Sequence, residues 1–415
     1  VTVQIRPITE SEWPAFATVD RESFNSPLSP DQHDRFREFL ELERSLAAFD
    51  GDLIVGATAV ASLTMTVPGG PVPVAGVTAV AVLPSHRRRG ILTSLMTRQL
   101  NDVHERGESV AALYASEAAI YGRFGYGRAA DNLFFHIPTH RSAFVRDAPV
   151  DPSLRVRLAV PAEAARADVE RVFEAVRTTR PGLYARSDAR WRLDVLGDEE
   201  FQRRGAGPLR CLIVEDDSGP RGYALFRVKG GWTDHNVPDG EVLVNDLFAT
   251  DPAAYALVWR SVLDRDLCVR LHAWGRPVDD PLMHLLAEPR QLNAGWLDDL
   301  WIRLVDVGRA LAGRAYAAPV DVVIEVEDRL CPWNAGRYRL VASPGPVTGK
   351  ASCERTGDPA DLTVPVAALG AAYLGGRPLL AVGAAGLVTE HSEGALRELS
   401  TAMSWEPRPW GSLIF

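Results

Sequence analysis

The stretch "VAVLPSHRRRG", from Val80 to Gly90, places three arginines and a histidine between an apolar run and a glycine. The residues that follow, Ile91, Leu92 and Thr93, open an apolar-periodic segment with the pattern of a helix. A strand that ends in such a cluster and hands over to a helix start is an anion site in outline. The first N–H groups of a helix have no partner within it. Together with the helix dipole and the guanidinium groups of Arg87, Arg88 and Arg89, they favour a pyrophosphate. Arginines at that end oppose the dipole unless an anion joins them, so a solvated basic turn is the weaker reading. Gly90 is expected to keep a side chain from holding the phosphate away from the backbone. Neither GxGxxG nor GxxxxGK[ST] is present at this turn, so the common nucleotide fingerprints do not apply.

A second group lies downstream in "ASEAAIYGRFGYG". Tyr121 carries a phenol that stays protonated near neutrality and could act as a proton donor, although a helix-face aromatic taken by itself reads as core. Tyr126 is the alternative donor and ranks below it as a strand residue. Ser116 stands at the expected helix start, where capping and ligand binding are equally open, and Glu117 follows it. His86 and His136 read as a loop and a strand residue.

These residues need a scaffold. Up to about residue 145 the pattern alternates: VTVQIRPI as a strand, a helix from Glu10 to Phe24 with Trp13, Phe16 and Phe24 as core candidates, and a second helix from Asp31 to Leu46. Two strand runs separated by Pro-Gly-Gly-Pro follow, then a helix from Gly90 to about Arg106 closed by Gly107. Ser109 to Ala115 is a strand, Ser116 to Phe124 a short helix, and Leu133 to Ile137 a last strand. The segment from 146 to 305 repeats this grammar. EVLVNDLFATDPAAYALVWRSVL parallels GVTAVAVLPSHRRRGILTSLM, but Thr250, Asp251 and Pro252 replace the cations, so the copy is read as degenerate. From 306 to 415 a helix-like Val307 to Ala317, two strand runs, VDVVIEVED and GRYRLVA, then DLTVPVAALGAAYLGG and a closing helical region end in a proline-broken tail. The fold class is a mixed α/β arrangement with a partly antiparallel sheet.

Bulk properties bound the function. The 415 residues carry a net charge of −9, which argues against nucleic-acid binding and is compatible with cationic substrates. Apolar runs fall short of the roughly 20 residues of a membrane span, so no membrane partner is expected. No secretion-signal layout opens the sequence, which makes the cytoplasm the default compartment. Cys211, Cys268, Cys331 and Cys353 show no metal-ligand spacing, so buried thiols and no metal are expected.

The turn VAVLPSHRRRGIL resembles the acetyl-coenzyme A motif of the GNAT acetyltransferases, [R/Q]-x-x-G-x-[A/G], with Leu92 in place of the small last residue. ASEAAIYGRFGYG resembles the family's aromatic-x-x-[F/L]-G-[F/Y] element. The two motifs, a degenerate second unit, a third domain and a final phenylalanine together resemble the Eis-like multi-acetylating aminoglycoside acetyltransferases. That resemblance implies a catalytic GNAT domain over 1–145, a degenerate GNAT-like domain over 146–305 and a sterol-carrier-like domain over 306–415, assembled as a hexamer. It implies acetyl-CoA held by Val80, Ala81, Val82, Arg87, Arg88, Arg89, Gly90, Ile91, Leu92, Thr93, Ser116 and Glu117, with main-chain N–H groups near Val82 polarising the acetyl carbonyl. Tyr121 becomes the general acid, and the carboxylate of Phe415 the base. That carboxylate is weak in water, with a reference pKa of about 3.3 to 3.7, unless burial beside Trp410, Leu413 and Ile414 or a bridging water assists it. The acceptor, a cationic amine of the aminoglycoside, polyamine or lysine kind, is expected near Phe24, Ser26, Phe36, Ala79 and Tyr114, with Asp20, Glu22 and Asp31 as the nearest acids. The competing expectation is a non-catalytic acetyl-CoA sensor or a carrier of a lipid-like ligand.

Overall fold

A computed structural model of the chain describes residues 3–26, 28–345, 351–412 and 414–415. The chain divides into two compact units: Val1–Ala130 with Asp298–Pro409 and Ile414–Phe415, and Asp131–Leu297 with Trp410–Leu413.

The first unit is built on strands β1 (Gln4–Pro7), β2 (Ser45–Asp50), β3 (Leu53–Val67), β4 (Gly70–Val82), β5 (Val110–Tyr114) and β6 (Gly127–Arg128). Leu300–Leu304 enters the same sheet between β5 and β6, completing seven strands in the order β1-β2-β3-β4-β5-(Leu300–Leu304)-β6. All neighbours are antiparallel except β4 and β5, which run parallel. The β3–β4 hairpin turns at Pro68-Gly69-Gly70, where Gly69 has φ +98°, a conformation that favours glycine. Helices α1 (Trp13–Ser23), α2 (Pro30–Asp34), α3 (Ile91–Glu105) and α4 (Ala118–Tyr121) complete the site-bearing part.

Helix α3 buries Ile91, Leu95, Met96, Gln99, Leu100 and Val103, the recurrence at three and four residues that makes one helix face apolar. It lies so close to β3 that a side chain at Gly56 would begin 3.0 Å from Ile91 and 3.1 Å from Leu95. Gly107, at φ +75°, ends the helix as expected, its N–H donating to the His104 carbonyl.

A second sheet of this unit contains Ala351–Arg355, Gly336–Ala342, Val320–Glu327, Leu362–Pro365 and Thr389–Glu390, in that order. The helix Val366–Ala372 joins it to the first sheet. The Gly127 α-carbon lies against the Ala367 carbonyl and Gly370 against that of Ile302, so neither position has room for a side chain. Arg314 is buried and donates to the carbonyls of Ala372, Tyr373 and Met403 at 3.3, 2.6 and 2.7 Å, tying down the ends of two helices.

The second unit is a seven-stranded sheet in the order Gly295–Asp298, Asp131–Pro138, Cys268–Pro277, Gly240–Ala249, Gly219–Lys229, Arg210–Asp216, Arg155–Ala159. Its strand Gly240–Ala249 leads into the helix Pro252–Leu263, the duplicate of β4 and α3.

Several expectations need correction. The helix expected over Asp31 to Leu46 is three short pieces, α2, Arg35–Phe39 and Leu42–Arg44, followed by strand β2, in which Leu46 is buried. SLAAFD is a short apolar run whose state periodicity cannot decide, and pairing with β1 and β3 settles it as strand. Phe24, expected in the core, is 46% exposed. The strand around Leu133 to Ile137 pairs with Cys268–Pro277 in the second unit's sheet, while the place after β5 goes to Leu300–Leu304.

Candidate active site

Strand β4 pairs with β3 as far as Val82, but with β5 only at Ala75↔Ala111 and Gly76↔Ala112. A bulge causes the divergence. Ala79 has φ +51°, and the register to β3 shifts between Ala57↔Ala81 and Ala59↔Thr78, so β4 carries one extra residue there. Past the bulge Val80–Val82 keeps β3 on one side but no longer pairs with β5 on the other, where it borders an opening. That is an edge on which an extended ligand can pair.

Beyond Leu83, whose N–H donates to the Val55 carbonyl at 2.9 Å, the chain makes a turn over Pro84–His86. His86 anchors it, with Nε2 3.2 Å from the Asp50 carboxylate and Nδ1 2.8 Å from the Ser85 hydroxyl. Arg88 has φ +63°, and Gly90, at φ +81°, occupies the position before α3 with no side chain capping the helix. A Cβ at Gly90 would meet nothing within 4 Å. The left-handed backbone at this position favours glycine. Arg87, Arg88 and Arg89 are exposed, and among the described residues no carboxylate pairs with any of them. Free amides, three unpaired guanidinium groups and the helix dipole converge at one turn.

A cleft of about 530 Å³ opens here. Of the residues expected to hold acetyl-CoA, all but Arg89 line it: Val80, Ala81, Val82, Arg87, Arg88, Gly90, Ile91, Leu92 and Thr93 on one side, Ser116 and Glu117 with Tyr121 on the other. Ser23, Asn25, His86, Ile120 and Arg123 line it as well and were not foreseen, since their chemistry is unremarkable until α1 and α4 bring them together.

Tyr121 is buried, 4% exposed, and its ring meets that of Tyr126 edge to face at 6.2 Å. Burial, and secondarily the negative charge of Glu117, push its phenol up to about 12, while a hydrogen bond with Ser116 acts in the opposite direction. Ser116 is not the helix cap: Glu117 stands at the cap position, and its side chain does not cap. Tyr126 is fully buried just before β6 and does not line the cleft. Burial raises its phenol even further, and among the described residues its hydroxyl has no hydrogen-bond partner.

Phe415 is buried where β4 and β5 part. Its ring lies edge to face on Tyr114, 5.0 Å between centroids, and 3.1 Å from where a side chain on Gly76 would start. Trp410 packs in the second unit, stacked on Phe248 at 4.8 Å; Ile414 is 66% exposed, and Leu413 lies outside the described residues. Of the expected acceptor residues, Phe24 lines the cleft and Tyr114 is the partner of Phe415. Ala79 is the bulge residue, the Ser26 hydroxyl accepts from the Leu28 N–H at 3.4 Å, and Phe36 lies against His33 at 5.5 Å. Asp20, Glu22 and Asp31 do not line the cleft. Among the described residues no group of three or more His, Cys, Asp or Glu could hold a metal ion, and no helix is long and apolar enough to cross a membrane.

In the duplicate the equivalent seat is taken. The Asp251 carboxylate accepts from the N–H groups of Ala253 and Ala254 at 3.1 and 2.9 Å and pairs with Arg221 at 3.0 Å. The chain's own carboxylate sits where an anion would.

Comparison with known proteins agrees with this geometry. Residues 4–129 and 182–304 match models of the acetyltransferase (GNAT) domain, and 307–412 match that of the sterol carrier protein domain. The chain is 44% identical to an uncharacterized N-acetyltransferase of Streptomyces avermitilis, over 99% of each chain. It is 32% identical to the N-acetyltransferase Eis of Mycobacterium tuberculosis, over 97% of each. The crystal structure of Eis1 from Mycobacterium abscessus superposes with a TM-score of 0.82 at 35% identity, covering all of both chains.

Proposed function

This chain belongs to the Eis-like GNAT N-acetyltransferases, two GNAT domains followed by a sterol-carrier-like domain, and from that premise we propose how its residues divide the work of acetyl transfer. The enzyme is an acetyl-CoA-dependent acetyltransferase; the co-substrate supplies an acetyl thioester. In the proposed arrangement Arg87, Arg88 and Arg89 with the first amides of α3 take the pyrophosphate, and the open edge of Val80–Val82 takes the pantetheine arm. The observation that carries the reading is the convergence, in one cleft, of an uncapped helix start ringed by unpaired guanidinium groups and a buried, protonated phenol.

The acceptor is a primary alkylamine, the group shared by aminoglycosides, polyamines and lysine side chains. At pH 7 such an amine, with a reference pKa near 10.4, is only about a thousandth neutral, so proton removal is part of the task. In the proposed reaction the amine nitrogen bonds to the acetyl carbon and the carbon–sulfur bond breaks. The proton lost from nitrogen passes to the Phe415 carboxylate, directly or through water, and Tyr121 gives its proton to the departing sulfur. Solvent exchange resets both groups, so the products are an N-acetyl amine and free thiol. Main-chain N–H groups near Val82 hold the acetyl oxygen. We further propose a homo-hexamer working in the cytoplasm, to be checked by light scattering and cell fractionation.

Thiol release with acetyl-CoA and a panel of primary amines tests the reaction. Extending the chain beyond Phe415 by a short Gly-Ser segment removes the terminal carboxylate and should lower kcat roughly 10²-fold, in the range expected for loss of a general base, with acetyl-CoA affinity retained. An extended enzyme that turns over normally would remove Phe415 from the mechanism.

A further inference from the structure

Resting on the reading of Phe415 as the base, we infer that the second unit grips the tail that carries it: Trp410, seated between two parted strands, and Arg186, bonded to Ser412, are positioning residues for the Phe415 carboxylate. The parallel strands Gly240–Ala249 and Cys268–Pro277 pair from Gly240↔Cys268 to Val244↔Ala273 and no further. Against Gly219–Lys229 the register shifts between Asp246↔Leu225 and Val244↔Phe226, which leaves Asn245 as one extra residue. The bulge and parting of β4 at Ala79 are thus repeated in the duplicate. In the first unit the parting borders the cleft; in the duplicate it holds a side chain of the protein itself.

That side chain is Trp410. Its ring stacks on Phe248 of one strand at 4.8 Å, and its indole N–H donates to the Gly275 carbonyl of the other at 2.6 Å. Both partners lie past the last pair of the ladder. A second bulge turns the Gly275 carbonyl toward the indole, since the register of Cys268–Pro277 to Asp131–Pro138 shifts between Ala273 and Arg276. Arg276 lies over the Trp410 ring at 5.0 Å. The main chain is fixed as well. The Trp410 N–H donates to the Pro181 carbonyl at 2.9 Å, and a Cβ on Gly182 would stand 2.7 Å from the Trp410 carbonyl oxygen. The Gly411 carbonyl accepts from the Asn132 amide at 3.4 Å. Arg186, whose charge is met by the Asp246 carboxylate at 2.7 Å, donates from Nη2 to the Ser412 hydroxyl at 3.3 Å. With Ser412 held, the three residues that follow can carry Phe415 no more than about 11 Å away. A terminal carboxylate on a loose tail would spend most of its time in solvent; the grip keeps it where the Phe415 ring meets Tyr114.

Trp410→Leu in the full chain tests the inference. Its kcat at pH 7 is expected to fall at least about tenfold, with acetyl-CoA affinity by calorimetry within about twofold. At pH 10 about 30% of a primary alkylamine, with a reference pKa near 10.4, is already neutral, so the deficit should narrow to within about threefold. A fold merely weakened would keep the deficit at both pH values. Carboxypeptidase A should release Phe415 at least about tenfold faster from the variant than from the unaltered chain. Ile213→Ala is the stability control: it lies in the same apolar core, on Arg210–Asp216, two strands from Gly240–Ala249, and should leave both readouts within about twofold. If Trp410→Leu does not fold, Trp410→Phe keeps the ring on Phe248, loses the indole donor, and is expected to cost about threefold in kcat at pH 7. Unchanged kcat and unchanged Phe415 release in the variant that folds would overturn the grip, while a chain extended past Phe415 that still loses turnover keeps the base reading. Normal turnover in the variant and in the extended chain alike would overturn the base reading and the positioning role with it.

Discussion

The pH dependence of turnover discriminates sharply between a buried and a solvated Tyr121. A phenol with the ordinary pKa of 10 would be about 76% ionised at pH 10.5, but one held at about 12 is only about 3% ionised there. With saturating amine and acetyl-CoA, kcat at pH 10.5 should therefore keep more than about 95% of its plateau instead of about a quarter. Tyr121→Phe should lower kcat roughly 10²-fold at every pH and leave acetyl-CoA affinity within about twofold. The same burial shapes stability. Below pH 10 the phenol is protonated in the folded and unfolded chain alike. Between 10 and 12 the unfolded chain releases the proton and the folded chain does not, so stability falls as pH rises through that window, by about 3 kcal/mol in all. Stopped-flow thiol release, with circular dichroism at each pH to show that the fold persists, provides the measurement. A fourfold fall in kcat by pH 10.5 with the fold intact would show that Tyr121 is solvated or is not the acid.

Arg88→Ala should weaken acetyl-CoA by roughly tenfold, the size expected for one charge-assisted phosphate contact, more so at low salt, with stability unchanged because the side chain is exposed; calorimetry reads it. Gly76→Val places a Cβ 3.1 Å from the Phe415 ring and 2.5 Å from Leu63, so the ring must move, and kcat is expected to fall at least about tenfold while acetyl-CoA binding persists. Asp251→Ala removes two hydrogen bonds at a helix start in the second unit and should cost about 1 kcal/mol, a few degrees in Tm, without touching kcat.

The site was legible because its chemistry is local. Val80 to Thr93 and Ser116 to Tyr126 each combine a scaffold element with the groups it presents, so the anion turn was readable from its residues and the rest of the cleft from the resemblance that the two motifs carry. What escaped depends on distant pairing. Nothing in LWIRL near residue 300 says that it will lie beside β5, and nothing in DNLFFHIP says that it will leave the first sheet. Phe24 reads as core because aromatic residues at helical spacing usually are. Its place one residue past the end of α1 turns it toward the cleft instead. The helix expected through Leu46 failed because a run of six residues fits both periods, and the hydrogen-bonding demands of neighbouring strands decided the outcome.

The two copies show what keeps such a site open. Both present a strand, a bend and a helix start, and both helix starts have amides that must be satisfied. In the duplicate, Asp251 meets them within the chain, and its charge is balanced by Arg221. At Gly90 no side chain does so, and the adjacent arginines are left without partners among the described residues. An uncapped helix start beside unpaired cations is unfavourable in the free protein, and an incoming diphosphate relieves both deficits together. The energy that would have stabilised the fold is thereby held for binding. Gly90→Asp would set a carboxylate at the seat and is expected to abolish co-substrate binding, at a cost in stability because the position stands at φ +81° where Asp251 stands at φ −151°.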